Sequence, residues 1–203
     1  MPSNIGTNLK TSLKMGPYLL KWIFQRLKIG PGEYSYHQRS AAMAMTFILI
    51  FVVPASIWLL SLMLPWAWVT WVLSLWAVYG LYRVMGLYAS MVGLPHKLDE
   101  SCLLVRYSFL VSGCIPYDSI ESVELSREGW GQGGDGLKLD LEEPIAYLNV
   151  GSANSIKIGL RNPVTLEAEG MPTPPVSTIF IHADHPDLLV DALQQRLGMA
   201  PEV

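Results

Sequence analysis

Four groups of residues in this 203-residue chain have types and spacings that invite a chemical reading. Gly131-Gln132-Gly133-Gly134-Asp135-Gly136 spells G-x-G-x-x-G. A dinucleotide fingerprint needs a strand before it and a helix after it, so that a helix N-terminus meets the pyrophosphate. Here an alternating run, Leu137 to Leu141, follows, so the segment reads as a hairpin loop and not as a nucleotide site. His182 and His185 are three apart, but one falls in a strand and the other at a helix start. With no cysteine or third histidine close in sequence, they do not read as a metal site. Cys102 and Cys114 are too few for a disulfide framework. They face each other across a predicted hairpin and are expected as packed free thiols. Ser, His and Asp all occur, yet no nucleophile setting such as G-x-S-x-G does. No catalytic set and no cofactor emerge, and the chain is not expected to be an enzyme.

Two further groups are chemical only in the sense of recognition. Asp140, Glu142 and Glu143 form an acidic patch, which the sequence extends with Glu121, Glu124 and Glu128 of the preceding strand region. It reads either as a solvated face or as a docking surface for a basic partner. Trp130, in the glycine-rich loop, is placed to anchor in a partner groove or to pack on its own domain. The acidity argues against a phosphoinositide pocket, which needs clustered Lys and Arg. The second group is basic: Lys10, Lys14, Lys21 and Lys28, with Trp22 on the opposite side.

These groups need elements to position them. Charged residues make up 15 % of the chain, against about 25 % in a typical soluble protein. The apolar excess is concentrated between Ala41 and Ala89. Ala41 to Leu64 carries no charge, and its 24 residues span about 36 Å as a helix, enough to cross a bilayer core of about 30 Å. A second apolar run from Trp66 to Ala89 carries only Arg83, near its end, where the side chain snorkels or meets a partner. Pro54 bends the first helix, which membrane helices tolerate. A tight turn, Leu64-Pro65-Trp66-Ala67-Trp68, joins the two, with Trp58, Trp66, Trp68 and Trp71 around it. Tyr79, Tyr82 and Tyr88 mark the opposite interface. The spacing therefore predicts a transmembrane hairpin over 41–89.

Charge orients it. Lys10, Lys14, Lys21, Arg26, Lys28 and Arg39 face only Glu33 before the first span, the turn is uncharged, and Arg83 and Lys97 close the second. The positive-inside rule then predicts both termini in the cytoplasm of an inner membrane, a reducing compartment. Residues 1–29 contain no apolar secretory core. Within 1–40, Leu9, Leu13, Leu20, Ile23, Phe24 and Leu27 fall in one helical arc with the lysines in a stripe beside it. This predicts a basic amphipathic helix in the membrane plane, or one packed on a neighbouring helix, perhaps split at Pro17 and ended by Gly30-Pro31-Gly32. Basic residues beside a bilayer do not suggest nucleic acid.

After Pro95 the pattern turns to short runs of period two. Residues 103–107, 112–116, 120–126, 137–141, 146–150, 155–160 and 178–183 read as about seven strands, with Leu139 in the core. A closing helix follows, with Asp184 as N-cap, Leu189, Leu193 and Leu197 as its buried stripe and Gly198 as its stop. Met171 to Pro175 reads as a stiff loop. This region, 96–203, has seven Lys/Arg against sixteen Asp/Glu, a balance of −9.

Leu103-Leu104-Val105-Arg106-Tyr107, followed by Ile115-Pro116-Tyr117-Asp118-Ser119-Ile120-Glu121-Ser122-Val123, resembles the opening of bacterial PH-like domains. Residues 156–163 and 179–187 are similar to that family's closing strands and helix start. The resemblance covers 98–197, and many such proteins place a two-helix hairpin ahead of the domain. It implies an antiparallel PH-like barrel capped by a C-terminal helix, and no active site. An OB-like barrel is the competing reading, disfavoured by strand number and the terminal helix. Together these features lead to the expectation of a non-catalytic, membrane-anchored interaction module, a scaffold or subunit of an inner-membrane complex. The alternative is a lipid-binding or lipid-sensing module. The expected partners are the bilayer and a membrane or cytoplasmic protein, with a homo-oligomer also open.

Overall fold

The computed structural model describes residues 5–24, 30–126, 134–140, 142–151 and 154–198, with backbone alone for 5–14. The chain divides into a helical unit, residues 1–26 and 41–90, and a β-unit, residues 27–40 and 91–203.

In the helical unit, α1 (Ile5–Phe24) runs unbroken through Pro17. α2 (Ala41–Met63) and α3 (Ala67–Gly93) form the hairpin. Both are long and apolar enough to cross a membrane. The buried positions of α2, Ala42, Thr46 and Val53, form one narrow face of small or β-branched side chains, while the large apolar side chains lie on the open side. Phe51, Trp71 and Trp76 are 75 %, 72 % and 75 % exposed, and Met45, Ile48, Leu59 and Leu62 are exposed on the same side of α2 as Phe51. α1 packs on the later half of α3. Met15 is buried, and a Cβ at Gly86 would come within 2.7 Å of the Met15 side chain, so the helices approach where α3 has no side chain. Trp22 meets Tyr88 edge to face with ring centroids 5.6 Å apart.

The β-unit begins before the hairpin. Gly30-Pro31-Gly32-Glu33 is a turn closed by Glu33 N–H donating to the Gly30 carbonyl at 3.2 Å. Proline at its second position and Gly32 at φ +76° suit a type II turn. It leads into β1 (Glu33–Tyr34), which pairs with β2 (His96–Leu98) from beyond α3. β3 (Cys102–Tyr107) and β4 (Val111–Pro116) form a hairpin with six residue pairs in register. With the two-residue strands β9 (Glu167–Ala168) and β10 (Met171–Pro172) they complete a six-stranded sheet of order β1-β2-β3-β4-β9-β10. Part of the expected Met171–Pro175 loop is thus an edge strand.

The second sheet contains β5 (Ile120–Leu125), β6 (Gly136–Leu139), β7 (Ile145–Asn149), β8 (Ile156–Val164) and β11 (Val176–Ile181), in the order β5-β8-β11-β7-β6. β11 lies between β7 and β8 and runs parallel to β7. The strands form two sheets that do not close into a barrel, and the parallel pair departs from the all-antiparallel expectation. β11 takes the centre because Ile179 and Ile181 are fully buried, and a central strand is covered on both sides. Leu103, Ile115, Leu148, Ile156 and Ile158 are likewise at most 1 % exposed and supply the core. Leu137, Lys138 and Leu139 are all only half-buried, so the alternation in β6 does not divide a core face from a wet one, and Leu139 is not a core position.

α4 (Pro186–Leu197) closes the unit with Leu189 and Leu193 fully buried. Gly198 ends it in the left-handed conformation, φ 66°. Its N-cap is His185, not Asp184. The Asp184 carboxylate instead accepts the Gln38 N–H at 3.1 Å.

Cys102 and Cys114 are joined as a disulfide, which overturns the expectation of free thiols. The β3–β4 register places their Cα atoms 5.7 Å apart, inside the range a disulfide spans.

Candidate functional site

The acidic residues sit on the connection between β6 and β7. Asp140 N–H donates to the Ile145 carbonyl at 3.0 Å, closing the hairpin. The Asp140 carboxylate accepts Glu142 N–H at 2.9 Å and Glu143 N–H at 3.4 Å. Asp140 therefore works inside its own turn, in the local manner that favours aspartate at turn starts. Glu142 and Glu143 are exposed at the tip. Glu121 and Glu124 are exposed on β5, at the opposite edge of the sheet from β6. Four strand spacings separate those edges, about 19 Å. The extended acidic patch is thus two separate sites. Sequence neighbours β5 and β6 are not spatial neighbours, because β8, β11 and β7 lie between them. Glu124 is in register with Lys157 across β8, which further offsets charge at that edge. Trp130 and Glu128 lie outside the described residues.

Of the membrane-interface set, Lys21 is exposed and Trp22 is half-buried against Tyr88. Tyr82 and Tyr88, expected as interface markers, line the part of α3 that holds α1: a Cβ at Gly16 would stand 3.5 Å from the Tyr82 hydroxyl. Leu20, Ile23 and Phe24 are exposed, so α1 has a docked face, an unpartnered apolar face and Lys21 beside it. Lys10 and Lys14 are on the helical backbone of α1, with side chains outside the description, and Lys28 lies outside the described residues.

Some of the most deeply set residues of the β-unit carry no sequence signal. Tyr36, in a stretch that reads as linker, is fully buried. Its ring stacks on His96 with centroids 4.6 Å apart, and its hydroxyl accepts Ser108 N–H at 2.7 Å. Burial pushes the Tyr36 phenol up, out of the accessible range. His96 Nδ1 accepts Arg106 N–H at 3.1 Å, and Nε2 lies 3.0 Å from the His182 carbonyl. These partners fix a neutral ring with its proton on Nε2. Burial lowers its pKa to about 4. His37 and His182 are lowered in the same sense, chiefly by desolvation. Asp184 N–H donates to the Ser35 carbonyl at 2.8 Å, and Gly151, at φ 63°, lies so close to the Arg39 carbonyl that no side chain fits there. The stretch 33–40 is thus part of the β-unit. A tyrosine in a polar linker carries no periodicity, and no sequence signal marked it.

Among the described residues no group of His, Cys, Asp and Glu could hold a metal ion. His182 and His185 diverge: the first is buried, the second exposed at the start of α4. No family model, curated protein or solved structure matches this chain.

Proposed function

We propose that this chain is a non-catalytic, two-pass membrane anchor carrying a β-domain that docks a protein partner, as a scaffold or subunit of an inner-membrane complex. The observation that carries it is the exposure of large apolar side chains over a broad face of α2 and over most of the first half of α3. Only 11 % and 17 % of their most apolar stretches are buried, and leaving such surface in water is unfavourable by about 25 cal/mol per Å². A bilayer removes that cost. Basic residues at both ends of the hairpin favour the cytoplasmic side for the termini and the β-unit under the positive-inside rule. The β-unit then presents Glu142 and Glu143, held by the Asp140 turn, to a basic protein surface. Trp130, outside the described residues, is kept as a partner contact on its residue type alone. Charge in such a contact contributes on-rate and specificity more than affinity. The PH-like resemblance is part of this proposal. It rests on the motifs over 98–197 and on the helix that follows the last strand, while the division into two sheets is a departure from it.

A second reading has its own observation. Exposed Leu20, Ile23 and Phe24 beside Lys21 on α1 suit an in-plane contact with anionic lipid, to which the sequence spacing of Lys10, Lys14 and Lys28 would add. One experiment separates the two. The full chain is extracted in mild detergent and its companions identified. A stoichiometric protein lost at low salt on D140K/E142K/E143K supports docking. An enriched anionic lipid, lost on K10E/K14E/K21E/K28E and untouched by the acidic reversals, favours the lipid reading.

A further inference from the structure

The disulfide sits in an asymmetric setting. Cys102 is 6 % exposed, while Cys114, the residue with which it is bridged, is exposed. Cys114 lies on the wall of a groove of about 510 Å³, beside Leu104, Ser112, Glu167 and Pro172, with Gly113 and Leu166. Leu166 is buried and lies so close to Gly113 that no side chain fits at that position, so the groove has a fixed floor one residue from the exposed Cys114. The strands that carry the bridge are also held by other contacts. β3 and β4 are in register over six residue pairs, and their turn is tied to the Tyr36 hydroxyl through Ser108. A bond in a hairpin with its own strand pairing, between one buried and one exposed cysteine and beside a cleft, has the setting that thiol–disulfide exchange requires.

We propose that Cys102–Cys114 is a thiol-exchange site, opened by a dithiol reductant that attacks Sγ of Cys114. The attacking thiolate forms a mixed disulfide with Cys114, and the Cys114–Cys102 bond breaks with Cys102 leaving as a thiolate that takes up a proton. The second thiol of the reductant then attacks its own sulfur in the mixed disulfide and releases Cys114, which is protonated in turn. Two electrons and two protons pass from the dithiol to the chain, and the reductant leaves as a disulfide. The direction is set by access: the buried Cys102 sulfur cannot be approached first. The groove gives the carrier's flanking residues a partly polar seat through Ser112 and Glu167. If the β-unit is cytoplasmic, such a bridge falls in the class of cytosolic disulfides, which are transient or redox-sensing more often than structural.

The test uses the full chain in detergent micelles. Wild-type protein is treated with dithiothreitol with and without denaturant, and opening is read as a gel shift after maleimide-polyethylene glycol labelling. The expected result is opening of the native protein at a rate within about tenfold of the denatured control, because access is already present. In parallel, Cys102→Ser leaves the Cys114 thiol and Cys114→Ser leaves the Cys102 thiol. The first is expected to react with N-ethylmaleimide about tenfold or more faster than the second. It is also expected to take one glutathione from oxidised glutathione. A native bond that resists dithiothreitol until denaturant is added overturns the proposal, as does equal reactivity of the two single thiols. The wild-type arm needs no variant to fold.

Discussion

The helical unit and the β-unit are built on opposite rules. In α2 and the first half of α3 the large apolar residues cover broad open faces, so composition largely defines the element and surrounding hydrocarbon satisfies it. In the β-unit, Ile156, Ile158, Ile179 and Ile181 are buried at alternating positions, and their value depends on which strand comes next to which. One unit draws its stability from solvent, the other from long-range pairing. A single substitution should therefore be tolerated in one and costly in the other.

The sharpest way to break that comparison is a matched pair. Ile179→Asp places an unpaired charge at a fully buried central position, and its expected cost, above about 4 kcal/mol, should leave the β-unit protease-sensitive. Membrane extraction behaviour should not change, since the hairpin is a separate unit. Phe51→Ala, at a 75 % exposed site on α2, should shift the β-unit's melting by no more than about 0.5 kcal/mol. Tyr36 sharpens the comparison from the chain ahead of α2. Tyr36→Ala should cost the β-unit about 3–5 kcal/mol by leaving a large cavity. Tyr36→Phe removes the acceptor for Ser108 N–H and should cost about 1–3 kcal/mol. A fragment that begins near residue 94 lacks β1 and Tyr36, and should melt well below one in which 27–40 is rejoined to 91–203 through a flexible linker.

Acid is the next lever, and it acts on the β-unit alone. His96 is neutral in the folded state with its pKa lowered to about 4, while the unfolded ring titrates near 6.5. Below pH 6.5 the unfolded chain binds a proton that the folded one refuses. Stability is therefore full above pH 6.5 and falls as pH drops towards 4, by on the order of 3 kcal/mol from this group. His37 and His182 add in the same direction. Denaturant melts of His96→Gln between pH 7 and 4 should show a shallower decline than wild type. The smallest effect is expected at the acidic tip: E142K/E143K, both exposed, should change stability by less than about 0.5 kcal/mol while acting on partner association.

Sequence reasoning read the elements whose signals are local. The hairpin was legible from an uncharged run, the seven main strands from alternation, and α4 from its leucine stripe and Gly198. What it missed depends on distance in the chain. β1 is two residues long and exists only because β2, on the far side of the hairpin, pairs with it. Tyr36 lies in a segment of mixed polarity and is buried through the same crossing. The acidic patch was over-extended because β5 and β6 are consecutive in sequence but lie at opposite edges of their sheet. The disulfide was half legible: the hairpin placed Cys102 and Cys114 together, but the compartment inferred from charge argued against a bond.

The central claim is that the hairpin crosses a membrane and holds the β-unit on the cytoplasmic side. It is tested most directly by labelling in intact cells, in a background carrying Cys102→Ser and Cys114→Ser so that no native thiol contributes. Pro65→Cys, in the turn between α2 and α3, should react with a membrane-impermeant maleimide added outside. Asp135→Cys, in the β-unit, should react only after permeabilisation. Labelling of both from outside, or of Asp135→Cys alone, would contradict the account.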